Sequence, residues 1–490
     1  MLEICWILGE EMLDVAIIGA GPNGLAAAVI LARSGLEVAL YETNQQVGGA
    51  LQSSGPIGPD GVRFDLGSSV HPFIQESEFF RQWRATERID YVTPDVSFAH
   101  PLPGGAAGTA YRDIEQTIQE LGRDGEAWRR LIGPLASHTH ETSSIALNPA
   151  LAAARNPTHL ARLGARTLAT TLRGMQGGFT GSVASALLAG VMAHANSQMP
   201  GLATSSVGLV LTAMAHGNGW PLPLGGSGRL SNALAEDFVA HRGRIVTGNR
   251  IRHWADLEPA RATIFNTSLA SAAAIAGDRL PARYRKVLER KQGGSGVFKV
   301  DYLTSEAVPW AAATVRQTPT VHLGGSAAEI AASENAVSRG VIPEHPYVLL
   351  VQPTVVDPGR CVGKTIVSAY CHVPHGSTVD MSDRITRQVE RFAPGFRDTI
   401  LFQASSDPAA LERGNANLSG GDIGGGSMSG LNFISRPRLG LHPWRTPAKD
   451  IYLSSSYVAP GPGTHCMGGY HAAKDILQQI FGVPMPNLAP

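Results

Sequence analysis

The feature that most constrains this chain is a glycine turn caught between a strand and a helix. Residues 15–18 form a short apolar run, Gly19-Ala20-Gly21-Pro22-Asn23-Gly24 follows at once, and residues 22–34 read as a helix stopped by Gly35. Residues 37–42 then read as a second strand, so the chain opens on a βαβ unit. In that context Gly19 permits a tight turn, Gly21 lets the backbone approach a pyrophosphate, and Gly24 lets helix and strand pack closely. The helix N-terminus adds unpaired N–H groups and a partial positive charge. Glu42 closes the second strand, where a carboxylate accepts both ribose hydroxyls and disfavours a 2′-phosphate. The opening is thus predicted to bind a dinucleotide.

The glycine turn alone does not separate NAD from FAD, but the next segment does. Gly48-Gly49 follows Glu42 closely, and Phe64-Asp65-Leu66-Gly67-Ser68-Ser69 comes soon after. A second glycine turn just past the ribose carboxylate lets the chain run beside the phosphates and ribityl chain of FAD. Simple NAD dehydrogenases lack such an element. The expected cofactor contacts here are Gly19, Ala20, Gly21, Pro22, Asn23, Gly24, Glu42, Thr43, Gly48, Gly49, Ala50, Ser68 and Ser69. No second strand–GxGxxG–helix occurs: Gly226-Ser227-Gly228 lacks the third glycine, and the cluster at 424–430 lacks the flanking strand and helix. A bound NAD(P)H-reductase domain is therefore not indicated.

Composition excludes several other classes. The 490 residues carry a formal net charge of +0, which gives no general pull toward nucleic acid, and none is expected as a partner. The four cysteines, Cys5, Cys361, Cys371 and Cys466, form no CxxC pair, so neither a redox disulfide nor a metal site is signalled and a reduced, cytoplasmic setting is expected. The longest apolar candidate for a membrane span, residues 183–195, is too short and carries His194. No transmembrane segment is expected, and peripheral contact with a membrane is left open. Residues 1–11 precede Met12 and the first strand, and read as a non-essential leader without the positive region of a signal peptide.

Residues 76–220 read as mostly helical, with 182–195 and 205–216 as apolar helices lining a cavity. Residues 298–303 and 348–356 read as strands, 384–392 as an amphipathic helix, and the Gly/Ser-rich stretch 414–430 as a loop inside the fold.

Taken together, GAGPNGL, YETNQQVGGA, FDLGSS, SRP, YLSSS and GPGTHCMGGYHAA resemble the phytoene desaturase-related flavoproteins, and the resemblance runs over nearly the whole chain from Met12. It is reinforced by Trp220-Pro221 with Gly225-Gly226-Ser227, by Val297-Phe298-Lys299-Val300-Asp301, and by Arg445-Thr446-Pro447. The resemblance implies an α/β fold, a glutathione reductase-like Rossmann-type FAD domain with an inserted α+β substrate domain. Residues 12–75, 221–290 and 431–490 would form the discontinuous FAD domain, and 76–220 with 291–430 the substrate domain. Arg250 and Ile251 would meet adenine through backbone groups. Gly463, Met467 and Gly468 would pass beside the isoalloxazine, with a helix from about Tyr470 to Ile480 aiming its N-terminus at the ring.

Two departures stand out. Ser455-Ser456 occupies the place of a Gly-Asp pair, and Gly461-Pro462-Gly463 replaces a run of consecutive glycines. The implied activity is hydride abstraction from an apolar or semi-polar substrate, of desaturase, dehydrogenase or oxidase type, with oxygen or a quinone as diffusible acceptor. The alternatives are a redox-neutral flavin isomerase and a regulatory flavoprotein with little turnover. No catalytic residue is assigned. His465, Tyr470 and His71 are the candidates, each weighed against a structural role, and Cys466 and His471 share the same segment. His194, His216 and Trp220 are expected in the core or cavity wall.

Overall fold

A computed structural model describes residues 12–53, 58–290 and 293–490; the leader at 1–11 lies outside the described residues. The apolar run Leu13–Ile18 is a buried strand, and the helix Pro22–Arg33 starts with proline in its first turn, where a missing N–H costs nothing. Val38–Tyr41 is the second strand, and both pair in parallel. They sit inside a five-stranded parallel sheet ordered 451–453, 260–265, 13–18, 38–41, 244–246. Every strand in it points the same way, so the loops that follow them gather at one edge, where α/β proteins bind ligands.

A second, seven-stranded sheet runs in the order 400–406, 296–304, 365–373, 348–351, 320–323, 96–101, 107–111. It is antiparallel except where 320–323 meets 96–101. Strand alternation divides its residues between two faces. Phe298, Val300, Tyr302, Val367, Ala369, Val348 and Leu350 enter an apolar core with Ile385, Val389 and Phe396. Their neighbours Lys299, Asp301, Ser368, Tyr370, Leu349 and Val351 line a cavity on the other face.

Residues 76–220 are mostly helical, as expected, with Val96–Pro101 and Ala107–Tyr111 set among the helices as two strands of the second sheet. Two expectations need correction. The strand predicted at 348–356 ends at Val351, since Pro353 has no N–H to continue a ladder and opens a 3-10 turn. The C-terminal helix begins at Met467 rather than Tyr470 and its regular part ends at Ile476. The helices Ser182–Met192 and Leu202–Gly217 form as expected, the second from three residues earlier.

Candidate functional site

One cavity of about 1780 Å³ runs from the first glycine turn, past both sheets, to the helices of residues 145–211. An ordinary small-molecule pocket measures roughly 300–1,000 Å³, so this one has room for a dinucleotide and a substrate together.

At one end the glycine turn is shaped by contact. A Cβ on Gly24 would lie 2.1 Å from the Gly19 carbonyl oxygen, so helix and strand could not pack as they do. Gly21 is different: its Cβ would meet only Asn266 Nδ2, at 3.2 Å, and it faces the cavity. The space over Gly21 is thus left open by the protein itself. Glu42 holds its place by accepting from the Ala20 and Asn44 N–H groups, each at 2.9 Å, and also lines the cavity. Gly19, Pro22, Asn23, Thr43, Gly49, Ala50, Ser68, Ser69, Arg250 and Ile251 line it too. Ala20, Gly24 and Gly48 stand just behind this surface; the Gly48 N–H donates to the Ala20 carbonyl, tying the two glycine turns together.

Asp65 explains why the FDLGSS and GGSG motifs occur together. Its carboxylate accepts from Ser53 Oγ, the Ser227 N–H and the Arg360 guanidinium. Burial would raise its pKa, but Arg360 and these hydrogen bonds win and hold it below the usual carboxylate value.

The C-terminal segment arrives from the opposite side. Pro462, Gly463, Thr464 and His465 line the cavity. Met467 and Gly468 do not; they lie behind the turn, with Gly468 against the Ser454 carbonyl and Asn23. A Cβ on Gly469 would lie 1.9 Å from the Asn23 carbonyl oxygen, and its N–H donates to Asn23 Oδ1 at 3.3 Å. The N-termini of the first and last helices therefore meet, two positive helix ends held side by side, and the cavity passes the loops before them.

The candidate catalytic residues turn out to be fastenings. His465 Nδ1 accepts from the Met467 N–H at 3.1 Å, so Nε2 carries the proton and donates to the Gly461 carbonyl at 3.2 Å. Burial lowers its pKa to about 4, leaving it neutral with both nitrogens occupied. His71 is fully buried between Tyr91 OH and Ser227 Oγ, and burial likewise lowers it to about 4. Tyr470 accepts from Gln82 away from the cavity lining. Cys466 is a buried thiol that donates to the Pro22 carbonyl, and burial pushes its pKa up. His216 sits in the core, accepting from Trp128 Nε1 and donating to the Tyr111 carbonyl, whereas His194 and Trp220 do line the cavity.

Other groups on the cavity wall had no role assigned to them from the sequence. Lys299 Nζ is held by the Asp301 carboxylate, 2.6 Å from Oδ1, and by the Asp65 carbonyl at 3.0 Å; Ser368 Oγ donates to the same carboxylate. Ser455 Oγ is buried, has no hydrogen-bond partner among the described residues, and belongs to a residue that lines the cavity. Asn266 fixes the first turn by donating to the Gly19 carbonyl, and Asn417, from the Gly/Ser-rich loop, donates in turn to the Asn266 carbonyl. The open cradle over Gly21, the orphaned Ser455 hydroxyl and the volume of the cavity fit FAD.

A family model for the NAD(P)-binding Rossmann-like domain matches residues 17–84. Over 95% of its length the chain is 23% identical to pyridine nucleotide-disulfide oxidoreductase domain-containing protein 2 of Rattus norvegicus, covering 94% of that protein. It is 38% identical to the 4,4'-diaponeurosporene oxygenase of Staphylococcus haemolyticus over 109 residues, which span 21% of each chain. Among solved structures, an oxidoreductase from Methanosarcina mazei superposes with a TM-score of 0.59 at 15% identity, over 95% of this chain and 100% of that one. Cavity, sheet topology and these relatives agree on a Rossmann-type dinucleotide-binding fold and on FAD-dependent oxidoreductase chemistry.

Proposed function

We propose that this oxidoreductase removes hydride from an apolar or semi-polar small molecule, leaving a C=C or C=N bond, and passes the electrons to a diffusible acceptor such as oxygen or a quinone. The observation that carries this reading is the single cavity joining the glycine turn to an arm walled by Leu147, Leu163, Val207, Val210, Leu349 and Val351. FAD, when bound, supplies the hydride acceptor. Gly21, Glu42, Gly49, Ser68, Arg250 and Ser455 would hold it, and Gly463 to His465 would border its ring. The apolar arm orients the substrate and keeps water from it.

Lys299 and Asp301 lie on the cavity face of the second sheet, facing the Asp65 segment. Of the lining carboxylates, Glu42 and Glu412 belong to the elements around the glycine turn, which leaves Asp301 as the group assigned to receive the proton released with the hydride. In this reading residues 12–75, 221–290 and 431–490 are the cofactor unit, and 76–220 with 291–430 the substrate unit. The strands of the five-stranded sheet all fall in the first set and those of the seven-stranded sheet in the second, which supports the division. A reducing, cytoplasmic setting is part of the proposal, supported by Cys371 and Cys466 as buried thiols outside any disulfide.

The test is anaerobic mixing of the purified yellow protein with a panel of long-chain alkenes, terpenoids and secondary amines. At least one compound is expected to bleach the flavin and yield its dehydrogenated product. Conversion of a panel member without net flavin reduction would replace this reading by an isomerase.

A further inference from the structure

The apolar arm carries a second group of polar side chains, well away from Lys299 and Asp301. Across the cavity face of the second sheet, Lys299, Tyr370, Leu349 and His322 stand opposite one another on four neighbouring strands, and Asp301, Ser368, Val351 and Thr320 form the next row. Three interstrand spacings separate the two ends of each row, roughly 14 Å. At the end remote from Lys299, the buried His322 meets His194 from the 3-10 turn Ala193–Ala195, with their Nε2 atoms 2.8 Å apart. Thr320 lies roughly 7 Å from His322 along the same strand and on the same face. His194, Asn196, Trp220 and Thr320 all line the cavity.

Polar atoms are left over here. Thr320 is only 2% exposed, yet its hydroxyl has no hydrogen-bond partner among the described residues. Asn196 Oδ1 is likewise buried and unpartnered, although Asn196 Nδ2 donates to the Ser295 carbonyl at 3.0 Å. Buried polar atoms are nearly always paired, so unpaired ones gathered on a cavity wall point to a guest that pairs them.

The two histidines define what such a guest must offer. Burial, and then His372, lower the His194 pKa to about 3, and burial with His194 and His100 holds His322 well below its usual value. Both rings are therefore neutral, and one proton lies between their Nε2 atoms. His322 Nδ1 is buried without a partner. An orphaned N–H is the rarer defect in a protein interior, which places the His322 proton on Nε2, donating to His194. His194 then carries its own proton on Nδ1, an atom with no hydrogen-bond partner among the described residues.

We propose that this end of the arm is a subsite for a hydroxyl group of the substrate, which accepts from His194 Nδ1–H and bonds to Thr320 Oγ1. Asn196 Oδ1, two residues beyond His194, adds a further acceptor. The inference rests on the reading of the cavity as a substrate site and narrows the substrate class. The substrate is an apolar molecule with a neutral oxygen at the end of the arm remote from Asp301. A carboxylate finds no cation among these groups, and a hydrocarbon leaves their polar atoms unpaired. A site built to bond an oxygen discriminates against the analogue that lacks it for that reason.

The test is equilibrium dialysis of radiolabelled decanol, decanoate and decane against the FAD-loaded protein, with the ratio of decanol to decane affinity as its readout. Thr320→Val and His194→Phe are each expected to lower that ratio by about three- to tenfold, the loss of one neutral hydrogen bond. Decanoate is expected to bind more weakly than decanol. Thr320→Val should also keep or raise the melting temperature, because it removes a hydroxyl that pairs with nothing in the protein. Should His194→Phe fail to fold, Thr320→Val carries the test alone. A ratio left unchanged by either folded variant overturns the proposal. So does decanoate held more tightly than decanol, or a wild type that binds none of the three. Failure of the substrate panel while the ratio falls as expected would count against the proposed reaction and not against this subsite. Dehydrogenation of a panel member with the ratio unchanged would count against the subsite alone.

Discussion

The two ends of the cavity are built by opposite means. At the glycine-turn end the site is backbone: N–H groups, carbonyl oxygens and the missing Cβ atoms of Gly21 and Gly24, supplied by six neighbouring residues and one carboxylate. At the arm the site is side chains, some from helices and others from every second residue of strands that lie far apart in sequence, as Lys299, Ser368 and Leu349 do. A backbone site tolerates almost no change at its glycines and little depends on what surrounds them. A side-chain site can be redrawn residue by residue while the sheet beneath it stands. This is why one end addresses an unchanging cofactor and the other can suit a substrate.

The largest expected effects separate two glycines within one turn. Gly24→Ala puts a Cβ 2.1 Å from the Gly19 carbonyl oxygen, so it should unfold the N-terminal unit, seen as loss of soluble protein or a collapsed melting transition. Gly21→Val should leave the apoprotein folded and abolish FAD retention, because its side chain enters the open cradle. Equal flavin content in Gly21→Val and wild type would move the cofactor elsewhere.

Next comes the buried Lys299–Asp301 pair. Removing one partner, as in Lys299→Met, leaves an uncompensated charge and should cost about 3–5 kcal/mol by denaturant titration. The double variant with Asp301→Leu should recover most of that stability and none of the activity. Recovery of both would mean that the pair only packs.

Glu42→Ala should weaken FAD binding by about 1.5–3 kcal/mol for each ribose hydrogen bond lost, measured by flavin titration of apoprotein. It also frees the Ala20 and Asn44 N–H groups, so some loss of melting temperature should accompany it.

The effect that is smallest near neutral pH, and grows only in acid, is titration. His71, His100 and His465 are buried and neutral, their pKa values lowered by burial from 6.5 to about 4. Between those values the unfolded chain takes up protons that the folded one refuses. Their contribution is therefore complete above pH 6.5 and falls away as the pH drops toward 4, by up to about 1.4 kcal/mol per pH unit for each. His465→Gln should flatten that slope in a pH series of unfolding curves without changing flavin content at pH 8.

The same contrast governs what the sequence disclosed. The cofactor end was legible because its rules are local: a glycine every few residues between a strand and a helix, then Glu42. The arm was not, because which side chains share a face depends on register between strands as distant as 299 and 370. One signal was nevertheless present. Lys299 and Asp301 are two charges spaced by two in an otherwise uncharged strand, and that spacing puts both on one face. The histidine candidates misled for a related reason. Nothing in GPGTHCMGG says that both ring nitrogens of His465 are taken by the backbone of its own turn.

The contact between Asn23 and Gly469 sets a timetable. Its partners are 446 residues apart in sequence. At a synthesis rate of roughly 5–20 residues per second, a growing chain carries Asn23 for roughly 20–90 s before Gly469 exists to meet it. Through that interval the first helix lacks its neighbour and the strand 260–265 lacks its partner at 451–453. The far wall of the cofactor site is thus made long after the glycine turn, and loading must await it. A chain cut short before residue 451 would keep every letter of the dinucleotide fingerprint and still lack the means to close over what it binds.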